Sequence, residues 1–176
     1  MSKKKPALAA YPRIAFSAAG KPATSAQLSE VQDLLALPKS CIDFIVWHNG
    51  GTPAAADFDW RTSRNSTRTS RIETLFGIDC RNPIGSGRRR LDIAWAAVMK
   101  FYHWLPKWSV PLGFIDRDWF LITFSTYDDE RAGQVWLKEW QHDTPDDQVG
   151  RDKRIHYVAE SCAAFAATWY TAAEAG

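Results

Sequence analysis

The sequence has few cysteines and no apolar run of membrane length. Its three cysteines, at positions 41, 80 and 162, form no Cys-x-x-Cys pair, so neither a disulfide framework nor a zinc site is indicated, and we expect reduced, mostly buried thiols. No apolar run approaches the ~20 residues that a membrane span needs. The lysines near the start lead into alanines that are too weakly apolar for a signal peptide. We therefore expect a cytoplasmic protein without a membrane span.

Residue combinations that carry catalysis or bind metals are also missing. Cys41 and His48 share a predicted helix face, but they lie two turns, or ~10 Å, apart, so direct proton transfer between them is not expected. The pair His142-Asp143 has no further histidine or aspartate in a ligand-like arrangement. Two carboxylate pairs lack the apolar surroundings that would separate their pKa values: Asp57/Asp59 and Asp116/Asp118. We predict a protein that is not an enzyme and that uses no metal or cofactor.

Charge is nearly balanced in total but unevenly distributed. The formal net charge is +2, yet residues 1–108 hold 16 Lys/Arg against 8 Asp/Glu, and residues 109–176 hold 6 against 12. Nine tryptophans are many for this length, which indicates either an aromatic core or exposed anchors for a partner. A chain of 176 residues fits one domain. We expect a mobile or loosely packed lead-in over residues 1–24 and a single domain over residues 25–176.

The segment from Leu37 to Gly51 has matching start, period and stop signals for a helix. Pro38 keeps the preceding residue extended, and we expect Ser40 to cap the helix with Asp43 as the capping-box acid. Residues at i, i+3, i+4 and i+7 form one apolar face: Cys41, Phe44, Ile45 and His48. The run Asn49-Gly50-Gly51 ends the helix, because these residue types tolerate positive φ.

The other elements follow from apolar periodicity and turn residues. Helices are predicted over residues 25–36, 91–105 and 157–170, and strands over 72–78, 110–115, 119–124 and 134–140, with a further short strand ending at Trp60. Residues 61–71, 79–90 and 142–154 are predicted to be polar loops. This order favours an α+β fold, an antiparallel meander flanked by N-terminal helices, a middle helix and a C-terminal helix.

Several of these residues carry a resemblance to a known family. Leu37-Pro38, then Phe44-Ile45, then Asn49-Gly50-Gly51 resembles the opening signature of the SUKH superfamily, which includes yeast cell-wall assembly regulators and many bacterial immunity proteins. Later landmarks in the same order extend the resemblance over roughly residues 28–170. The chain departs from the pattern at Cys41, where an aromatic is usual, and at Asp116-Arg117-Asp118, where a glycine-rich turn is common.

The resemblance implies a non-enzymatic protein that binds and neutralises a cognate toxin. Such an interface needs about 800 Å² per partner, with aromatic anchors and complementary charge. If the toxin is a nuclease with a basic cleft, the complement is the acidic edge of the chain. We predict that the partner-binding residues are Asp116, Asp118, Trp119, Tyr127, Asp128, Asp129 and Glu130.

Two alternatives stay open at this point. The yeast relatives imply an intracellular regulatory scaffold that recruits signalling or cell-wall assembly proteins through the same surfaces. The basic loops 61–71 and 88–90 could face the partner in place of the acidic edge. Nucleic-acid binding by these loops, with Trp60 stacking on a base, is not expected, because the rest of the surface is acidic and no nucleic-acid-binding signature is present.

Overall fold

A computed structural model of the chain describes residues 11–17, 19–62, 64–78, 105–106, 108–116, 119–139 and 154–171. Within these ranges the chain forms eight strands and three helices. In chain order they are β1 (Phe16–Ser17), α1 (Ser25–Leu35), α2 (Lys39–His48), β2 (Thr52–Pro53), β3 (Asp57–Arg61), β4 (Thr67–Leu75), β5 (Ser109–Ile115), β6 (Trp119–Phe124), β7 (Val135–Glu139), β8 (Ile155–Ala159) and α3 (Cys162–Ala166).

Six of these strands form one antiparallel sheet. Its order, β3-β4-β5-β6-β7-β8, follows the chain, so each strand pairs with its sequence neighbour in a meander. β1 and β2 form a separate two-stranded pair. The α+β class with an antiparallel meander is therefore confirmed. The predicted middle helix over residues 91–105 and the loops over 79–90 and 142–153 fall outside the described residues, apart from Leu105.

The main sheet is strongly curled. In a flat sheet of six strands, five spacings of about 4.8 Å would separate the edge strands by about 24 Å. Here the ring of Trp60 on edge strand β3 lies 5.0 Å from the ring of His156 on edge strand β8. Both rings also contact Trp119 on β6, at 5.5 Å and 5.7 Å. The two edges of the sheet therefore approach each other around an aromatic cluster.

Helices α2 and α3 cover one face of this sheet. Phe58 on β3 packs edge-on against Phe165 of α3, with ring centroids 4.9 Å apart. Phe44 of α2 contacts Trp169, which follows α3. The apolar face predicted for α2 is confirmed, since all four of its residues are buried: Cys41, Phe44, Ile45 and His48. Among the described helices, of 11, 10 and 5 residues, none could cross a membrane.

The start of α2 differs from the prediction. The helix begins at Lys39 with Pro38 as its N-cap residue, and no side chain caps it. The Pro38 carbonyl accepts hydrogen bonds from the backbone N–H groups of Cys41 and Ile42. Ser40 therefore lies inside the helix, and Asp43 forms an ion pair of 2.7 Å with Lys39. The capping role predicted for Ser40 and Asp43 is wrong, because the extended backbone of Pro38 already starts the helix.

Two further predictions of secondary structure are wrong. Residues 67–71, predicted as loop, belong to β4 and pair with β3, and the Trp60 indole N–H donates to the Ser70 hydroxyl at 2.9 Å. The closing helix, predicted over residues 157–170, is only Cys162–Ala166. Its predicted first turn is part of β8, because β7 offers a strand partner, and the helix begins after Ser161, whose hydroxyl accepts from the Ala164 N–H.

Part of the predicted lead-in packs on α2. The Tyr11 ring stacks on Trp47 at 4.9 Å, and its hydroxyl donates to the Ser40 carbonyl oxygen. Phe16 contacts Trp47 edge-on at 5.0 Å, while its strand β1 pairs with β2. These contacts join residues 11–17 to the helix layer. The division of the chain at residue 25 stays a prediction.

Candidate protein-binding surface

The residues first considered for catalysis lie in the core. The Cys41 side chain is fully buried, and its sulfur contacts the Thr123 hydroxyl. His48 is also buried, and its Nδ1 accepts a hydrogen bond of 2.6 Å from the Gly50 N–H. Burial lowers the pKa of His48 to about 3, so its ring is neutral near neutral pH. Neither side chain can reach a substrate from these positions, and His142 lies outside the described residues.

Cys41 has a neighbour that its sequence position does not indicate. Its sulfur lies 3.4 Å from that of Cys162, and both thiols are free and buried where α2 meets α3. The hydrogen bond with Cys41, together with burial, raises the pKa of Cys162. The predicted burial is thus confirmed for these two thiols, and their reduced state stays a prediction. Within the described ranges no group of three or more His, Cys, Asp and Glu side chains could hold a metal ion.

Both thiols are expected to resist modification in the folded protein. In a Cys80→Ser variant, an aromatic disulfide reagent that releases a coloured thiolate should react at least roughly 100-fold more slowly with the native protein than with the denatured chain, since a local opening of about 3 kcal/mol must come first. Two thiols should then react in denaturant. Rapid reaction in native buffer would contradict the burial of this pair.

The residues of the predicted acidic edge lie at opposite ends of β6. Asp116 and Trp119 flank the β5–β6 turn, whereas residues 127–130 follow the far end of the strand. A six-residue strand separates these two groups by about 17 Å. Asp118 lies outside the described residues. The structure therefore brings the predicted residues together as two groups rather than one.

The first group makes contacts within the protein. The Asp116 carboxylate accepts a hydrogen bond of 2.9 Å from the Arg71 backbone N–H, which ties the β5–β6 turn to β4. Trp119 is half-buried and stacks on His156 at an interplanar angle of 16°. Trp60, on the other side of this cluster, is only 4% exposed and so cannot stack on a nucleic-acid base. These side chains have structural roles that sequence reasoning missed.

The second group is more accessible. Tyr127 is 64% exposed, and Asp129 and Glu130 beside it are exposed and make no hydrogen bond or ion pair with any other described residue. Asp128 differs, because its carboxylate accepts hydrogen bonds from the Arg131 backbone N–H at 3.0 Å and from the Arg131 guanidinium. That guanidinium in turn lies 4.0 Å from the centroid of the Phe124 ring. Asp128 therefore stabilises the turn after β6, whereas the negative charges of Asp129 and Glu130 are exposed to solvent.

Two apolar side chains join this group from distant parts of the sequence. The backbone N–H and hydroxyl of Thr126 both donate to the Ala36 carbonyl, which brings the end of α1 beside Tyr127. The Ser125 N–H donates to the Trp108 carbonyl, and the Trp108 ring lies 5.5 Å from that of Tyr127. Four large hydrophobic side chains are exposed among the described residues. Two of them, Trp108 and Tyr127, contact each other here, and a third, Leu34, lies two residues before the Ala36 carbonyl that Thr126 holds.

We call this region the acidic-aromatic surface and define it by five residues: Leu34, Trp108, Tyr127, Asp129 and Glu130. Sequence analysis identified the last three. Leu34 could have been found from its phase, since it falls outside the stripe of Leu28, Val31 and Leu35. No comparable signal exists for Trp108, whose place depends on pairing across the sheet.

The fold and this surface can be compared with known proteins. Residues 22–168 match the model of the SMI1 / KNR4 family (SUKH-1), a range that includes all six strands of the main sheet and all three described helices. The chain belongs to the SMI1 / KNR4 family. The predicted SUKH resemblance is confirmed, and no curated protein sequence matches the chain.

In this SUKH-1 chain the Asn-Gly-Gly run has a structural role. Asn49 ends α2 at a φ of 38°, and its side-chain oxygen accepts a hydrogen bond of 2.8 Å from the Ile78 N–H. Its side-chain nitrogen donates to the Lys21 carbonyl. Gly51 has a φ of 91°, and a Cβ there would collide with the backbone of Ser17. The motif thus joins the helix end to the segments before α1 and after β4.

Proposed function

We propose that this SUKH-1 chain is a non-enzymatic immunity protein that binds and neutralises a cognate bacterial toxin through its acidic-aromatic surface. Membership of the family is consistent with immunity and protein-binding roles. The observation that carries the proposal is the combination of exposed Leu34, Trp108 and Tyr127 with two free carboxylates. Aromatic anchors beside charge of one sign are typical of a protein interface.

The packing of this surface supports the proposal. Three backbone or hydroxyl hydrogen bonds fix the segments that carry the exposed side chains, at donor–acceptor distances of 2.7–2.8 Å. Side chains held in place lose less conformational entropy when a partner binds. By contrast, Cys41 and His48 are sealed in the core. Among the described residues, the acidic-aromatic surface is preorganised, and the two side chains considered for catalysis lie away from it.

The experiment begins with the gene next to the one that encodes this chain. The immunity proposal predicts that the neighbouring gene product is a toxin, that it co-purifies with this chain as a stable complex, and that its activity is lost in the complex. A neighbouring protein that binds without losing any toxic activity would favour the regulatory scaffold. Failure to bind the product of any adjacent toxin gene would contradict the immunity proposal.

Charge reversal at the acidic-aromatic surface is expected to slow association with a basic toxin. The double substitution Asp129→Lys with Glu130→Lys should lower the association rate constant about tenfold at low ionic strength, because it removes long-range attraction. The difference should shrink in high salt, where charges are screened. Stopped-flow measurements at several salt concentrations test this expectation. Asp128 is left unchanged because it holds the turn through Arg131.

A matched control separates position from net charge. Glu73→Lys on β4 reverses another exposed glutamate and changes the net charge as much as Glu130→Lys does. The Glu130 variant should slow association more than the Glu73 variant. Equal effects at low salt would show that the partner does not bind at the acidic-aromatic surface, even if the complex itself forms.

A further inference from the structure

A second surface lies where the two edges of the curled sheet meet. The edges of β3 and β8 flank a cavity of about 300 Å³ that is open to solvent. Its lining consists of Arg61, Thr62, Ile155, His156 and Tyr157. We call this the edge cleft. It is distinct from the acidic-aromatic surface. Two of its lining residues, Arg61 and Thr62, belong to the basic loop 61–71, which the sequence left open as an alternative surface for the partner.

One end of the gap between the edges is closed by the chain itself. Asp57 exchanges two backbone hydrogen bonds with Tyr170, at 3.1 Å and 2.9 Å, and the Tyr170 hydroxyl donates to the Asp59 carboxylate. This pairing covers the start of β3 only. From Asp59 onwards, β3 has no strand partner on this side among the described residues.

The uncovered edges present backbone donors and acceptors to the cleft. Along a strand, the N–H and C=O groups of every second residue point to the same side. The backbone groups of Asp57 point away from β4 to Tyr170, so those of Arg61, four residues later, also point away from β4. On β8, the Arg154 carbonyl accepts from the Glu139 N–H of β7, so the backbone groups of Ile155 point away from β7. Open strand edges of this kind bind extended peptide backbone.

Among the described residues, the exposed charge beside the edge cleft is mainly positive. Five exposed arginines lie within the β3–β4 hairpin or directly before β8: Arg61, Arg64, Arg68, Arg71 and Arg154. Of these, Arg71 forms an ion pair with Asp57. Two described carboxylates beside these strands already have partners, since Glu139 bonds to the His156 ring at 2.9 Å and Asp59 accepts from Thr69 and Tyr170. A ligand of this cleft would therefore be acidic.

We propose that the edge cleft is a docking site for an acidic, extended segment of a protein partner. Carboxylates of the segment pair with Arg61 and Arg154, its backbone bonds to the open strand edges, and its apolar side chains contact Ile155 and the half-exposed Tyr157. A nucleic acid fits less well, because Trp60, the aromatic residue nearest the arginine-rich hairpin, is buried and its indole N–H is bonded to Ser70. This proposal does not depend on the immunity function.

The test uses the full chain labelled with ¹⁵N and a blocked hexapeptide that alternates pairs of glutamate with single valines. Addition of the peptide should shift the backbone amide signals of Arg61, Thr62, Ile155 and Tyr157 in a saturable way. The same peptide with glutamine in place of glutamate should bind at least tenfold more weakly. A single-stranded oligothymidylate is the third ligand, and tighter binding of this oligonucleotide to the same amides would overturn the proposal.

Variants separate the edge cleft from general attraction to a cationic surface. Arg61→Glu combined with Arg154→Glu should weaken peptide binding at least tenfold, whereas Arg13→Glu, at an exposed arginine of the N-terminal segment, should change it less than twofold. Each variant is first checked for an unchanged amide spectrum outside the substituted region. Equal losses in the two variants, or shifts spread over the whole surface, would contradict the proposal.

Discussion

Replacing Asn49 by alanine is expected to lower the free energy of unfolding by about 4 kcal/mol. The side chain is 4% exposed and bonds to the Ile78 N–H and the Lys21 carbonyl. Alanine would remove this partner from the buried Ile78 N–H, at a cost of about 1–3 kcal/mol, and from the carbonyl of the exposed Lys21, which can bind water instead, at about 1 kcal/mol. Position 49 has a φ of 38°, in the left-handed region. Asparagine tolerates this backbone conformation better than alanine does, because its side chain can form local hydrogen bonds. Chemical denaturation followed by tryptophan fluorescence measures the loss.

Asn65→Ala is the matched control for this substitution. Asn65 also has a left-handed backbone, with a φ of 61°, but it is exposed in the turn between β3 and β4. Its backbone N–H donates to the Thr62 carbonyl, and its side chain bonds to no other described residue. This variant should lose less than about 1 kcal/mol. Similar losses at the two positions would mean that backbone conformation, not the buried side-chain bonds, makes Asn49 important.

Helix α2 and its C-cap residue, Asn49, show which features could be predicted from neighbouring residues alone. The buried face of α2 could be predicted because helical spacing depends only on residues within two turns. The end of the helix could be predicted from the residue types Asn49, Gly50 and Gly51. The partners of the Asn49 side chain lie 28 and 29 positions away. No local pattern indicates those contacts, although they explain why asparagine suits this position.

The two strand segments that were predicted as a loop and as a helix were missed for one physical reason. Residues 67–71 are polar because they form the exposed end of the β3–β4 hairpin, so they lack the alternation that indicates a strand. Residues 155–159 carry a mixed pattern that also fits a helical stripe with Cys162 and Phe165. In both places the partner strand, not the local preference, decides the conformation. Residues 67–71 pair only with β3 and β8 pairs only with β7, so each segment has a single partner strand.

Only part of the acidic-aromatic surface could be predicted from the sequence. Composition identified Tyr127, Asp129 and Glu130, because an aromatic beside free carboxylates is a common interface pattern. It did not show that the Asp128 carboxylate is bonded to the Arg131 guanidinium. Nor did it show that the segments of Trp108 and Leu34 lie beside Tyr127. Those facts depend on hydrogen bonds between segments up to 90 positions apart. The interface itself stays a prediction until the partner is tested.

Acidification is expected to destabilise the protein through His48. Burial lowers the pKa of its ring in the folded protein to about 3, whereas an unfolded chain has a pKa near 6.5. Between these values the unfolded state binds more protons, so stability falls as the pH falls. The full contribution of the neutral ring is present above about pH 7, and we expect about 2 kcal/mol to be lost between about pH 7 and pH 5.

A His48→Asn variant isolates this effect from other titrations. Asparagine can still accept the hydrogen bond from the Gly50 N–H, but it cannot take up a proton. The variant should be less stable at neutral pH because its smaller side chain fills less of the space beside Phe44. Its deficit relative to the wild-type protein should shrink by about 2 kcal/mol when unfolding is measured at about pH 5. Groups other than His48 are the same in both proteins, so their contributions cancel in the difference. A deficit that does not change with pH would show that His48 is hydrated or protonated in the native state, contrary to its burial among Phe16, Phe44 and Trp47.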